Sequence, residues 1–212
     1  MKMSRVIVLA LALGAAAASA RAEYYLKVDA LYENASDVKV DSASDFRTSL
    51  KTSLGYSAAF GYKFTKVRVE AELQYFKSSA NGASDSTGSS LSASGAYKQF
   101  SGFVNGYVDL KSFLGLTPYI GAGLGEAEIN LDQLSAEHGA SKVVQFSSRN
   151  MASGYQAMVG LQYPVLGKAT ASIGFRILHM GSFQTHDIAS HVRQDVSSGL
   201  NKIFEIGLAW HF

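Results

Sequence analysis

Val67-Arg68-Val69-Glu70-Ala71-Glu72-Leu73-Gln74-Tyr75 is the stretch on which the fold turns. Its odd-numbered residues are apolar and its even-numbered ones are charged or carry an amide. A helix would scatter Arg68, Glu70, Glu72 and Gln74 around its circumference. A period of two lines them along one face of an extended strand and leaves the other face to Val, Ala, Leu and Tyr.

Working outward, the same alternation recurs along the chain. Tyr24, Leu26, Val28, Ala30 and Tyr32 interleave with Lys27, Asp29 and Glu33. Leu54, Tyr56, Ala58, Phe60 and Tyr62 oppose Gly55, Ser57, Ala59 and Gly61. Phe100, Gly102, Val104, Gly106, Val108 and Leu110 oppose Ser101, Phe103, Asn105, Tyr107 and Asp109. Pro118, Ile120, Ala122 and Leu124 oppose Tyr119, Gly121 and Gly123. Ala157, Val159 and Leu161 oppose Gln156, Gly160 and Gln162, and Ala171, Ile173, Phe175 and Ile177 oppose Ser172, Gly174 and Arg176. The chain closes on Phe204, Ile206, Leu208, Trp210 and Phe212 opposite Glu205, Gly207, Ala209 and His211. These make eight candidate strands, an even number as single-chain bacterial barrels require.

The links alternate in length. Short turns fall at 63–66, 111–116 and 164–168, and long polar links at 34–49, 77–96, 132–154 and 181–200. Short on one side and long on the other is the layout of a transmembrane barrel with periplasmic turns and extracellular loops. The long links are rich in Ser, Asp, Ala and Gly, so they are expected to be mobile without needing secondary structure of their own.

A soluble sandwich also alternates. Against it, the polar face is rich in Gly, Ala and Ser and carries mid-strand charges, which suits a confined lumen better than a solvated face. Tyr24, Tyr62, Tyr163, Trp210 and Phe212 would gather at the turn side, and Tyr32, Tyr75, Phe100 and Tyr155 at the loop side. Two aromatic belts around an aliphatic band are what amphipathic rings form at the two membrane interfaces. Lipid offers no hydrogen bond to an open edge, so the first strand must pair with the last. The expected fold is all-β, an eight-stranded antiparallel up-and-down transmembrane β-barrel.

The N-terminus reads as an address. Lys2 and Arg5 precede an apolar or small run from Val6 to Ala18, followed by Ala18-Ser19-Ala20 and Ala20-Arg21-Ala22. This is the layout of a secretory signal peptide, too short for a spanning helix. The expected division is a cleaved signal over 1–22 and a barrel domain over 23–212, with cleavage after Ala20 as the other register. The formal +2 then becomes 16 basic against 17 acidic residues in the mature chain, which gives no net positive field for nucleic acid. No later run reaches the roughly 18 apolar residues of a membrane helix. The absence of cysteine excludes a disulfide framework and thiolate metal sites.

Thr117-Pro118-Tyr119-Ile120-Gly121-Ala122-Gly123-Leu124-Gly125 resembles the fifth-strand signature of small opacity-type and rickettsial surface-antigen barrels, relatives of the OmpA-like transmembrane domain. Gly174-Phe175-Arg176 resembles the Gly-aromatic-Arg element of their seventh strand. Phe204, Ile206, Leu208, Trp210 and Phe212 look like the C-terminal signal read by the barrel-assembly machinery. The resemblance implies an outer-membrane barrel serving as adhesin, surface antigen or envelope component. Its partners would be outer-membrane lipid and lipopolysaccharide, the assembly machinery, and host or surface ligands at the loops. Because the chain stops at its eighth strand, the expectation is a barrel without a peptidoglycan-binding domain.

Chemistry-bearing patterns are sparse. Gly121-x-Gly123-x-Gly125 places Glu126 where a dinucleotide fingerprint needs its third glycine, and no helix pattern follows, so these glycines are expected to make lumen space. His179 and Ser182, with His186, Asp187 and His191 following, are of the residue types that lipid-A-modifying barrels use, but they lie in a stretch of ordinary loop polarity. Metal ligation by His186 and His191 lacks a fixed scaffold. No catalytic residue, cofactor or metal is therefore assigned. The alternatives held open are a lipid-A-modifying outer-membrane enzyme and a narrow channel. The assigned site is a lumen charge network of Lys27, Asp29, Arg68, Glu70, Glu72, Asp109, Arg176 and Glu205, with opposite charges filling a barrel just wide enough for its own side chains. Register further predicts an inward Arg176–Glu205 contact, with Glu70 or Glu72 as the competing partner.

Overall fold

The alternating segments form strands that close on themselves. A computed structural model describes residues 22–34, 38–41, 46–50, 53–84, 90–138, 141–186 and 193–212. Residues 1–21 of the expected signal lie outside these residues, as do Asp187 and His191, while Ala22 begins the first strand. Twelve strands occur among the described residues: β1 (Ala22–Asn34), β2 (Val38–Asp41), β3 (Phe46–Leu50), β4 (Ser53–Phe64), β5 (Val67–Ser84), β6 (Ser90–Asp109), β7 (Thr117–His138), β8 (Ser141–Leu166), β9 (Ala169–Met180), β10 (Phe183–His186), β11 (Arg193–Ser198) and β12 (Leu200–His211). No helix occurs among them.

Eight of the strands form the barrel, in the order β1-β4-β5-β6-β7-β8-β9-β12, every neighbour antiparallel. Closure is made by β1 against β12, from Tyr25 opposite His211 to Asn34 opposite Lys202. No backbone edge is left facing lipid along this seam, as the hydrocarbon environment demands. Side chains obey the period of two. In β4 and β12 buried and exposed residues alternate almost without exception, and apart from Lys202 the exposed set is apolar. In water such an inversion would be unfavourable; against acyl chains it is what the hydrophobic effect selects.

The outward-facing tyrosines gather toward the two rims. Tyr24 packs on Phe60 and Tyr62, and Tyr62 on Phe64, at the turn end. Tyr62 points outward yet is buried, because those neighbouring rings cover it. At the other rim Tyr56 packs on Tyr75 and Tyr155 on His179.

The long links differ from the sequence expectation. β5, β6, β7 and β8 run for 18, 20, 22 and 26 residues. A crossing needs only roughly 9–11. The links 77–96 and 132–154 are therefore mostly hairpin extensions of the wall, interrupted by register shifts at Ser79/Ala83, Ser94/Ala96, Leu131/Leu134 and Ala136/Glu137. The links 34–49 and 181–200 supply β2, β3, β10 and β11, which pair in the order β5-β3-β2-β11-β10. Composition alone reads these segments as loop. Once the barrel fixes one end of a strand pair, each added residue needs no new chain closure, so polar, small-residue sequence continues the ladder.

Candidate functional site

The site is the barrel interior, built by the polar face of each strand. All eight residues of the expected charge network point inward and are buried. They fall into tiers set by their height along the strands.

Nearest the turn end, the Arg68 guanidinium donates from Nε to Asp109 Oδ1 at 2.9 Å and from Nη1 to Glu70 Oε1 at 3.3 Å. Its plane lies over the rings of Tyr107 and Tyr119, 4.6 and 5.0 Å from their centroids, so the cation is held by π faces as well as by carboxylates. Tyr25 Oη donates to Glu70 Oε1 at 2.6 Å, and Lys63 reaches Asp109 at 3.1 Å. A cavity of about 10 Å³ remains among Tyr25, Lys27, Arg68, Tyr119, Ser172 and His211, room for about one water.

The middle tier centres on Arg176, which has no solvent exposure. Its Nε donates to Glu205 Oε2 at 2.8 Å and its Nη2 to the same oxygen. Its Nη1 donates to Glu72 at 3.0 and 3.1 Å and to Gln156 Oε1 at 3.1 Å. Glu205 and Glu72 thus share one guanidinium rather than compete for it. The ladder explains the geometry: Glu205 stands opposite Gly174 and Arg176 opposite Ile203, a diagonal pair within reach of long side chains. Tyr119 Oη donates to the other Glu205 oxygen at 3.0 Å. Asn105 Nδ2 donates to Glu72 at 2.7 Å, and Gln156 Nε2 to Glu72 and Asn105 at 3.2 and 2.8 Å. Lys27 pairs with Asp29 at 2.8 Å and lies 3.9 Å from Glu205, while Ser57 donates to Asp29 at 2.9 Å.

Above this tier the lumen is mixed, with Gln74, Gln99 and Ser101 buried on the inward face beside apolar side chains. Leu31, Phe76, Phe103, Leu178 and Ile203 are inward and fully enclosed. Beyond them Glu33 accepts from Ser53 Oγ at 2.8 Å and from Asn201 Nδ2 at 2.9 Å. An ionic tier and, above it, a tier of large apolar and neutral polar side chains therefore fill the described interior.

Sequence reasoning found the charges but not their neutral partners Tyr25, Asn105, Tyr119 and Gln156. A signal for them exists in the glycines. Tyr107, Asn105 and Phe103 on β6 stand directly opposite Gly121, Gly123 and Gly125 on β7. A Cβ at any of the three would strike that opposing side chain. Gly61 gives way to the Tyr25 ring, and Gly160 and Gly174 to the Tyr119 hydroxyl. The glycine run is thus lumen space, each gap cut for one large neighbour.

Of the histidine cluster, only His179 and Ser182 have described side chains; those of His186, Asp187 and His191 lie outside the described residues. His179 faces outward against the Tyr155 ring, 5.0 Å between centroids, and Ser182 is exposed beyond the end of β9. No group of His, Asp and Glu able to hold a metal occurs among the described residues. Phe204, Ile206, Leu208, Trp210 and Phe212 all lie on the lipid-side face of the closing strand and its end.

A closed barrel with an apolar exterior, ringed rims and a charge-filled bore defines an outer-membrane β-barrel. The chain belongs to the outer membrane protein beta-barrel domain family, which it matches over residues 6–212. It is 24% identical over 168 residues to an uncharacterized protein of Brucella abortus strain 2308, covering 70% of this chain. The chain spans 59% of the length of that relative. Among solved structures it resembles OprG from Pseudomonas aeruginosa, with TM-score 0.63, 15% identity and coverage of 90% of this chain and 95% of that one. It also resembles Neisserial surface protein A, with TM-score 0.56, 17% identity and coverage of 91% and 100%. The outer membrane protease OmpT from Escherichia coli shares the fold at TM-score 0.52 and 11% identity, covering 92% and 99%.

Proposed function

We propose that this protein is a sealed barrel that works through what its hairpin end presents outside the cell, as an adhesin, surface antigen or envelope structural component. The observation that carries the reading is the contrast between its two halves. The described bore is filled by an ionic tier around Arg176 and a largely neutral tier around Phe76, Phe103, Gln74 and Gln99, whereas the wall continues past the outer aromatic rim as paired strands. Chain material is spent on an external wall, and none on an open path through the membrane. In this reading the turns and both mature termini face the periplasm.

Neisserial surface protein A, named for its surface location, shares this architecture. OmpT is named a protease, so the fold also accommodates catalysis. Here the Glu205 oxygens are occupied by Arg176 and Tyr119 and Glu72 by Arg176 and Asn105, which leaves these carboxylates poorly placed as bases. The test is cell or serum binding by the intact protein and by a variant shortened at all four long links. Loss of binding on shortening supports the reading, and wild-type behaviour after shortening overturns it. Steady single-channel conductance in a planar bilayer would instead establish a channel. A change in the lipid-A mass profile on deleting the protein would establish an enzyme.

A further inference from the structure

The turn end carries apolar residues that neither the lumen nor the strand pattern requires. Phe113, Leu114 and Leu166 are 72%, 81% and 79% exposed, and they lie at the tips of the adjacent β6–β7 and β8–β9 turns. The β6–β7 tip is a tight hairpin: Phe113 and Leu116 exchange backbone hydrogen bonds at 2.8 and 2.9 Å. Its two central residues, Leu114 and Gly115, have φ of +50° and +81°. Such a turn favours Asn or Asp before the glycine, because they tolerate the left-handed region and their polar side chains suit water. Leucine there is disfavoured twice, by its backbone conformation and by exposure.

The surroundings remove the second objection. Gly115 sits against the ring of Tyr163, 2.9 Å from where its Cβ would be, so the tip lies level with the inner aromatic rim. The exposed Leu110, Leu116 and Val165 lead from it toward the apolar band, beside an exposed Ser112–Thr117 hydroxyl pair at 2.7 Å. Lys66, Lys111 and Lys168 stand exposed on the three turns, with no ion pair among the described residues. The acidic groups nearby are Glu23, beside His211, and the buried Asp109, already held by Arg68 and Lys63. Apolar tips with lysines whose stems can lie along them match a layer of acyl chains capped by phosphates.

We propose that the β6–β7 and β8–β9 turns are a lipid anchor: Phe113, Leu114 and Leu166 sink into the membrane leaflet at the turn end, and Lys66, Lys111 and Lys168 bind the headgroups of anionic phospholipids. The inference rests on the reading of the exterior as lipid-facing. The experiment separates the two. The full-length protein is reconstituted in phosphatidylcholine vesicles with and without phosphatidylglycerol. Trp210 is the sole tryptophan and reports the barrel wall. Phe113→Trp in a Trp210→Phe background reports the tip.

Brominated acyl chains should quench both positions, and aqueous iodide neither. Leu114→Asn, which suits the turn backbone, should raise iodide access at position 113 about twofold while heat-modifiable mobility stays unchanged. Phosphatidylglycerol should be enriched about threefold over bulk in polymer-excised discs, and the Lys66→Gln, Lys111→Gln, Lys168→Gln variant should lose that enrichment. Lipid quenching of Trp210 with iodide quenching at 113 would overturn the anchor alone. Absence of lipid quenching at Trp210 would overturn the membrane-spanning reading itself. Equal lipid composition around wild type and the lysine variant would overturn the headgroup contact.

Discussion

Replacing Arg176 with methionine is the severest test of the lumen as a filled, paired interior. The substitution keeps an unbranched chain of similar length and removes the guanidinium. Glu205 then loses both donors to its Oε2 and keeps Tyr119, with Lys27 at 3.9 Å. Glu72 keeps Asn105 and Gln156 but no adjacent cation. Breaking a buried pair from one side costs about 3–5 kcal/mol, most of it from the carboxylates left behind rather than from the lost bonds. With a urea dependence of about 2 kcal/mol per molar, the unfolding midpoint in vesicles should fall by about 2 M. Trp210 fluorescence and heat-modifiable gel mobility both read the transition. Glu205→Gln should cost less, since Arg176 retains Glu72. Combining it with Arg176→Met should be less than additive, because the second change removes one of the charges the first had stranded. A midpoint shift below about 0.5 M, or one no larger than that of the exposed Ser182→Ala control, would refute the reasoning.

Three further outcomes follow from the same structure. Gly174→Ala should destabilise the barrel by about 1–3 kcal/mol by driving a methyl into the Glu205 carboxylate and the Tyr119 hydroxyl, whereas Gly106→Ala, with open space around its Cβ, should be nearly neutral in the same unfolding assay. Protease added to intact cells should cut within 77–96 or 132–154 and spare 63–66; cleavage confined to the short turns would invert the orientation. Phe212→Ala should reduce the amount of heat-modifiable barrel while leaving export intact, as read by gel mobility against total processed protein.

The amino-acid pattern alone set the eight membrane-crossing strands and which of their alternating residues share a face. Period two is a local property: Val67 to Tyr75 needs no partner to show which residues share a face. The same locality put Lys27, Arg68, Glu72, Arg176 and Glu205 in one interior, since all occupy the face opposite the apolar one. Closure followed from the solvent, because an edge in lipid has no hydrogen-bond partner. Tertiary structure decided how the strands slide past one another, and with it which side chains meet. Arg176 serves two carboxylates only because the ladder sets Glu205 on its diagonal and the barrel's curvature brings Glu72 across the bore. The neutral members of the network were legible only once pairing was known, since Tyr119 and Asn105 fit only where Gly160 and Gly123 stand opposite them on a neighbouring strand. The wall beyond the rim was invisible for a related reason. Small polar residues carry no alternation, and they become strand only beside a strand already fixed by the barrel.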